Sequence, residues 1–147
     1  MTVALATIGF TRTTAERFFE RLGGAQVKRV IDVRLHNTSQ LAGFAKSDDL
    51  AWFLRTINGT GYVHAPELAP TEELMKFFKT DKGDWKVFER GFRALMKERR
   101  IERELKPSFF AGGCLLCSEP TAERCHRRLV VDYLNEHWGG ELKVTHL

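Results

Sequence analysis

The chain is short of the features that would take it outside an ordinary globular fold. Cysteine occurs three times in 147 residues. That odd number builds no disulfide framework and fits a reducing compartment. Proline occurs four times and is scattered. No Pro-rich linker, tandem repeat or low-complexity segment marks a second domain, so the expectation is a single domain over residues 1–147. No apolar run approaches bilayer length. The opening Met1-Thr2-Val3-Ala4-Leu5 lacks a basic segment leading into a full apolar one, so no secretory signal is read and a cytoplasmic location is expected, with no membrane partner. Neither sign of charge dominates: 23 basic against 19 acidic side chains leave a net +4. That is compatible with an anionic partner but well short of the excess that marks a dedicated nucleic-acid binder. There is no Walker A sequence and no glycine-rich dinucleotide turn.

What is present is an α/β pattern. Apolar residues make up 43% and charged residues 29%, enough to fill a core at this length. Val3 to Ile8 reads as a strand halted by Gly9. Thr13 followed by Glu16 reads as a capping box, and Phe18, Phe19 and Leu22 give the helix its apolar face before Gly23-Gly24. Val30 to Leu35 is the second strand. Ser47 is the expected cap of a helix carrying Leu50, Phe53, Leu54 and Ile57, with Asp48 and Asp49 in its first turn. Tyr62-Val63-His64 is a short strand, and Thr71 the cap of a helix starting Glu72-Glu73. A longer helix from about Asp84 to Arg100 carries the stripe Phe88, Phe92, Leu95 and Met96. Cys114 to Cys117 is the last central strand, a helix from about Thr121 to His137 follows, and Leu142 to His146 closes the chain. Alternating strands and helices predict an α/β fold, a three-layer αβα domain with a mostly parallel sheet of about five strands.

Three strand ends carry polar residues, and in open α/β sheets that carboxyl edge is where ligands sit. The first is Ile31-Asp32-Val33-Arg34-Leu35-His36. Period two puts Asp32, Arg34 and His36 on one side of a strand that would ordinarily be apolar on both. Arg34 suits two-pronged recognition of phosphate or carboxylate; a purely structural ion pair with Asp32 is the other reading. The second is Tyr62 to Leu68, where His64 and Glu67 either orient one another for acid–base work or tie down the Pro66 turn.

The third runs from Cys117 to Arg128. Placing it on a helix aims His126 at the sheet, either as an anion ligand or proton shuttle or as a histidine bonded to a backbone carbonyl. Arg127 flanks the same crevice, while Arg124 and Arg128 turn to solvent. Cys125 in a first helical turn would be acidified and nucleophilic, or else a small buried packing residue; Cys117 reads as packing. No metal ligand set is assigned. Cys114 and Cys117 face opposite sides of a strand, and Cys125 and His126 should diverge on a helix. No cofactor is assigned either. The three tryptophans, Trp52, Trp85 and Trp138, read as packing residues.

Taken together, Thr7-Ile8-Gly9-Phe10, Ile31-Asp32-Val33-Arg34, Tyr62-Val63-His64 with Pro66-Glu67-Leu68, Leu115-Leu116-Cys117-Ser118-Glu119, Cys125-His126-Arg127 and the closing Lys143-Val144-Thr145-His146-Leu147 resemble the DUF488 family of small bacterial and archaeal proteins of unknown function. The resemblance spans nearly the whole chain. It implies an α/β fold and a cluster at the sheet's carboxyl edge, with Arg34, His64, Glu67, Glu119, Cys125, His126 and Arg127 as its characteristic residues. The chain departs from the pattern at Leu35-His36-Asn37-Thr38 and at Ala69-Pro70. The valine–arginine strand is also similar to the opening strand of rhodanese domains, but the later cysteine lacks their six-residue loop.

The expected function is an enzyme or sensor pocket for a phosphorylated small molecule, a nucleotide or a nucleic-acid end, with hydrolytic or phosphoryl-handling chemistry. In that reading Arg34 and Arg127 hold the anion, His126 and His64 exchange protons, and Glu67 and Glu119 orient them. The alternatives are a non-enzymatic nucleic-acid-binding module, with a cationic track through Arg124, Arg128, Arg99, Arg100 and Lys46, and a structural or interaction protein.

Overall fold

The computed structural model describes residues 2–38, 43–119 and 121–147. Five strands, β1 (Val3–Gly9), β2 (Arg29–Asp32), β3 (Gly61–His64), β4 (Gly113–Cys117) and β5 (Leu142–His146), form one sheet in the order β3-β2-β4-β1-β5. Every pairing is parallel. Parallel neighbours need crossovers, and these are the helices α1 (Ala15–Gly24), α2 (Ser47–Phe53), α3 (Glu72–Met75), α4 (Trp85–Arg99), α5 (Ile101–Glu104), α6 (Pro107–Phe110) and α7 (His126–His137). Both α2 and α3 run on into a π-helical turn, Leu54–Asn58 and Lys76–Thr80.

Period two along the strands divides the core into two layers. In β4, Cys114 and Leu116 join Ile8 and Val30 under Phe18, Phe19 and Leu22 of α1 and Leu50 and Leu54. Leu115 and Cys117 face the other way and join Leu5 and Ile31 under Phe88, Phe92 and Met96 of α4 and Leu129, Val130 and Leu134 of α7. The expected three-layer α/β architecture is present, with a sheet that is parallel throughout. No helix among the described residues is long and apolar enough to cross a membrane.

Several boundaries differ from the sequence reading. The cap of α1 is Thr14, whose hydroxyl accepts from the Arg17 backbone N–H at 3.1 Å. Ser47 is already helical, and Lys46 at the cap position gives no side-chain cap bond; Asp48 and Asp49 do lie in the first turn. Thr71 caps α3 as expected, accepting from Leu74 N. β2 stops at Asp32, although Val33 N still donates to Leu116 O across the sheet at 3.1 Å. The largest correction is α7, which starts at His126, with Cys125 extended at φ −135°, ψ 140° as its cap residue. Burial of Ala122 and Cys125, together with a tie from Arg127 to Glu119 O, holds the preceding residues across the sheet edge instead of letting them wind.

The sheet order decides where the edge opens. From β2 the chain moves on to the outer strand β3, whereas from β4 it moves the opposite way to β5. Crossovers that diverge from two adjacent strands leave a crevice beyond their carboxyl ends. Here that is the gap between Arg34, just past β2, and Cys117, the last residue of β4.

Candidate functional site

β2 ends in a buried ionic knot. Asp32 and Arg34 are 0% and 2% exposed. Asp32 Oδ1 accepts from Arg34 Nε and Oδ2 from Nη2, both at 2.8 Å, and Oδ1 also accepts from the Arg34 backbone N–H at 3.1 Å. The Tyr62 hydroxyl donates to Oδ2. Burial, then the bond to Asp32, pushes the Tyr62 hydroxyl well above the usual phenol range, so it remains a donor. Below the guanidinium lies the Phe10 ring, 5.2 Å from Arg34 Cζ to the centroid. Nη1 of Arg34 is buried with no hydrogen-bond partner among the described residues. The structural ion pair is therefore present, and it leaves one buried donor over.

The segment after β4 is pinned to the end of β1. Ser118 O accepts from Thr11 N at 3.2 Å and Thr11 Oγ1 at 2.6 Å, and Glu119 O accepts from Arg127 Nη1 at 2.7 Å. Glycine is required at position 9, because a Cβ there would lie 1.6 Å from Glu119 O. A glycine ending the strand is visible in the sequence, and its missing Cβ permits this close approach. What approaches it is not visible there.

The start of α7 brings three ligand-type side chains together. Cys117 Sγ, Cys125 Sγ and a ring nitrogen of His126 lie within 4.8 Å of one another, and all three residues are buried. His126 Nε2 is 2.7 Å from Val33 O. A carbonyl only accepts, so Nε2 carries the proton and Nδ1 keeps a lone pair, with Cys117 Sγ beside the ring at 3.4 Å from Nδ1 and 4.0 Å from Nε2. The expected divergence of Cys125 and His126 fails because Cys125 is extended, not helical. Cys114 stays apart in the opposite core layer, as expected.

The thiols differ. The hydrogen bond from Cys125 holds Cys117 below the ordinary thiol value, with Arg127 adding to the effect. Burial pushes Cys125 and Cys114 up. The more acidic thiol is thus Cys117, which the sequence reading assigned to packing, and not Cys125.

A cleft of about 150 Å³ opens between these groups. Its floor is Arg34, Cys117, Cys125 and His126; its wall includes Phe78, Trp85 and Phe88; Lys79, Glu119, Arg124 and His36 line its mouth. Lys79 and Glu119 form an ion pair across the mouth, and His36 pairs with Glu72 at 2.7 Å. Of the seven characteristic residues, the cleft gathers Arg34, Glu119, Cys125 and His126. His64 stands behind it, its Nε2 2.9 Å from Arg34 O. Glu67 is exposed, and its backbone carbonyl accepts from Arg99 at 2.8 Å.

Arg127 does not line the cleft either. It is 0% exposed, its Nε and Nη2 have no hydrogen-bond partner and it has no carboxylate partner among the described residues. Its Nη1 lies 3.5 Å from Cys125 Sγ.

Sequence spacing places Phe78, Trp85 and Phe88 as packing residues, which Phe88 is, but does not show that all three also wall the cleft. Phe78 and Trp85 have helical apolar spacing, and nothing in a period distinguishes the rim of a cleft from a core. Trp138 is the packing residue expected, against Phe110 with centroids 5.9 Å apart. Trp85 stacks on Phe88 at 5.4 Å and 23° while lining the cleft. Phe78 and Lys79 lie on the π turn Lys76–Thr80, a feature that recurs at functional sites but leaves no mark in sequence.

A family model described as a domain of unknown function, DUF488, matches residues 14–134. No curated protein and no solved structure matches the chain.

Proposed function

The chain belongs to the DUF488 family of domains of unknown function, so its activity has to be sought in the cleft itself, and we propose that this cleft receives a small molecule combining a planar ring with a phosphate, of the nucleotide class. One observation carries the reading: a single cleft pairs an aromatic wall of Phe78, Trp85 and Phe88 with cations, Lys79 and Arg124 at the mouth and Arg34 at the floor. Its volume, about 150 Å³, resembles that of an engineered apolar cavity that binds benzene. The ring enters and stacks, and the phosphate stays at the rim, where cations remain hydrated enough to exchange it. The buried unpartnered Nη1 of Arg34 supplies a fixed donor to a ring carbonyl, since a desolvated donor without a partner is costly.

The nucleic-acid reading has less behind it. Arg99 donates to Glu67 O and Ala69 O. Arg128 lies over the Trp85 ring at 5.9 Å and pairs with Asp132 at 3.7 Å. Two of the cations in the suggested track therefore serve the fold.

The test is a thermal-shift and calorimetric comparison of nucleoside monophosphates, inorganic phosphate, unphosphorylated nucleosides and short single-stranded DNA and RNA. Saturable binding of a monophosphate is expected. Trp85→Ala should weaken it about 10- to 100-fold, the usual cost of losing a stacking partner. Lys79→Ala should weaken the monophosphate but not the nucleoside. Binding that ignores both substitutions, or appears only with oligonucleotides, overturns the proposal.

A further inference from the structure

The thiol pair and the imidazole on the cleft floor ask for a different kind of partner. Cys117, Cys125 and His126 come from the end of β4, the cap of α7 and its first residue, and their ligand atoms converge within 4.8 Å. In a tetrahedral zinc site, bond lengths of about 2.3 Å to sulfur and about 2.0 Å to nitrogen put ligand atoms about 3.5 Å apart for sulfur–nitrogen and about 3.8 Å for two sulfurs. The Cys117 Sγ to His126 Nδ1 distance is 3.4 Å, close to the first of these.

The imidazole is also prepared as a ligand. Metal-bound histidines typically give their second N–H to a carbonyl or carboxylate, which fixes tautomer and ring plane. Here Nε2 meets Val33 O at 2.7 Å, and the Phe92 ring packs edge-on against the imidazole at 5.5 Å and 85°. Nδ1 is thereby left unprotonated, with Cys117 Sγ beside the ring at 3.4 Å.

A second, independent observation concerns charge. Arg127 is completely buried and lacks a carboxylate partner among the described residues, while its Nη1 reaches Cys125 Sγ at 3.5 Å. A buried cation needs compensating anions. With two thiolates already neutralising a divalent ion, an anion in the fourth position meets that need, and an N–H donor on a metal-bound sulfur is a common outer-shell device.

We propose that Cys117, Cys125 and His126 form a binding site for a thiophilic divalent cation of the zinc class, three protein ligands with the fourth position open to the cleft. Two thiolates cancel the charge of the divalent ion, so the positive charge of Arg127 favours an anion in the fourth position. All three ligand residues line the cleft, which places that anion where the ligand of the proposed function would lie. The site does not depend on that reading and can stand without it.

Cobalt(II), titrated into reduced, metal-free full-length protein, is the probe. One equivalent is expected to bind with intense thiolate-to-cobalt charge-transfer absorption and tetrahedral ligand-field bands, and one equivalent of zinc should displace it. Cys114→Ser should behave as wild type. Cys117→Ser and His126→Asn should weaken zinc binding by about 100-fold or more, beyond the loss expected for an outer-shell partner. Where those variants do not fold, X-ray absorption on the zinc-loaded wild type decides, with two sulfurs and one imidazole nitrogen expected. A wild type that gives only the weak spectrum of octahedral cobalt overturns the site. So does one that shows no charge-transfer band and instead joins Cys117 to Cys125 on mild oxidation. Trp85→Ala should leave the cobalt spectrum unchanged, so failure of the ring-stacking reading and failure of the metal site are read separately.

Discussion

Asp32 grips Arg34 from two residues away with both carboxylate oxygens, at 2.8 Å each, in a position where neither side chain is more than 2% exposed. The backbone makes this possible. β2 ends at Asp32, so the chain is free to turn and lay the guanidinium back across the carboxylate while Arg34 N bonds the same Oδ1 at 3.1 Å. The plane of the arginine is then set by its own neighbour and not by any ligand.

Breaking that pair leaves a buried charge alone. Asp32→Asn should therefore lower the unfolding free energy by about 3–5 kcal/mol, measured by urea denaturation. Tyr62→Phe removes one donor to the carboxylate and keeps the pair, so about 1.5–3 kcal/mol is expected. If Asp32→Asn cost no more than Tyr62→Phe, the pair would not be holding the strand end.

Gly9→Ala tests the seam between β1 and the segment after β4. Its Cβ would lie 1.6 Å from Glu119 O, so Glu119 must shift and its bond to Arg127 with it. A loss of about 1–3 kcal/mol is expected, in the range of overpacking, together with weaker ligand binding because Glu119 lines the cleft. Unchanged stability would mean that the seam is looser than drawn.

The cap of α1 separates two adjacent threonines. Thr14→Ala should cost about 1 kcal/mol, the typical value of an N-cap side chain. Thr13→Ala should stay within about 0.5 kcal/mol of wild type, as for an exposed surface change. The reverse order would restore the cap read from sequence.

His146 gives the fold a pH dependence whose sign is fixed. Burial and then the charge of Arg127 lower its pKa below the ordinary 6.5, and its Nδ1 shares a 2.6 Å hydrogen bond with Thr7 Oγ1. Below 6.5 the unfolded chain binds the proton more readily than the native one. The stabilisation is thus complete above that value and is lost as pH falls through the lower native pKa. Unfolding midpoints in urea measured across that range should fall for wild type and flatten for His146→Gln. Equal slopes in the two proteins would reject this assignment.

The layers of the fold were legible because its strands and helices carry their periods openly. Phe18, Phe19 and Leu22 repeat at helical spacing, and β4 is apolar on both sides, as a central parallel strand must be. Strand-end polar residues located the cleft's floor, with Arg34 and His126 both found there. What escaped depended on where a helix begins. Moving the start of α7 from Thr121 to His126 turned Cys125 from a first-turn thiol into an extended cap beside Cys117, and a potential nucleophile into the less acidic of two sulfurs. No local pattern announces that change, because its cause lies in long-range ties: Arg127 to Glu119 O and His126 to Val33 O. Arg127 was misplaced for the same reason. Helical phase alone put its side chain in the crevice, but its guanidinium is buried and bonded to the Glu119 carbonyl, and it does not line the cleft.

The strand order also governs how the chain is made. β4 lies between β1 and β2, and among the described residues β1 has only β4 and β5 as neighbours. A nascent chain leaving the ribosome N-terminus first can pair β2 with β3 and pack α1 on Leu50 and Leu54, but β1 must wait for residues 113–117 to join the sheet. Closing those long loops precedes any reward from the sheet's centre, which slows folding and lengthens the exposure of unpaired edges. Completion therefore arrives late and all together. A product truncated before Gly113 would be a chaperone client, not a smaller version of the domain.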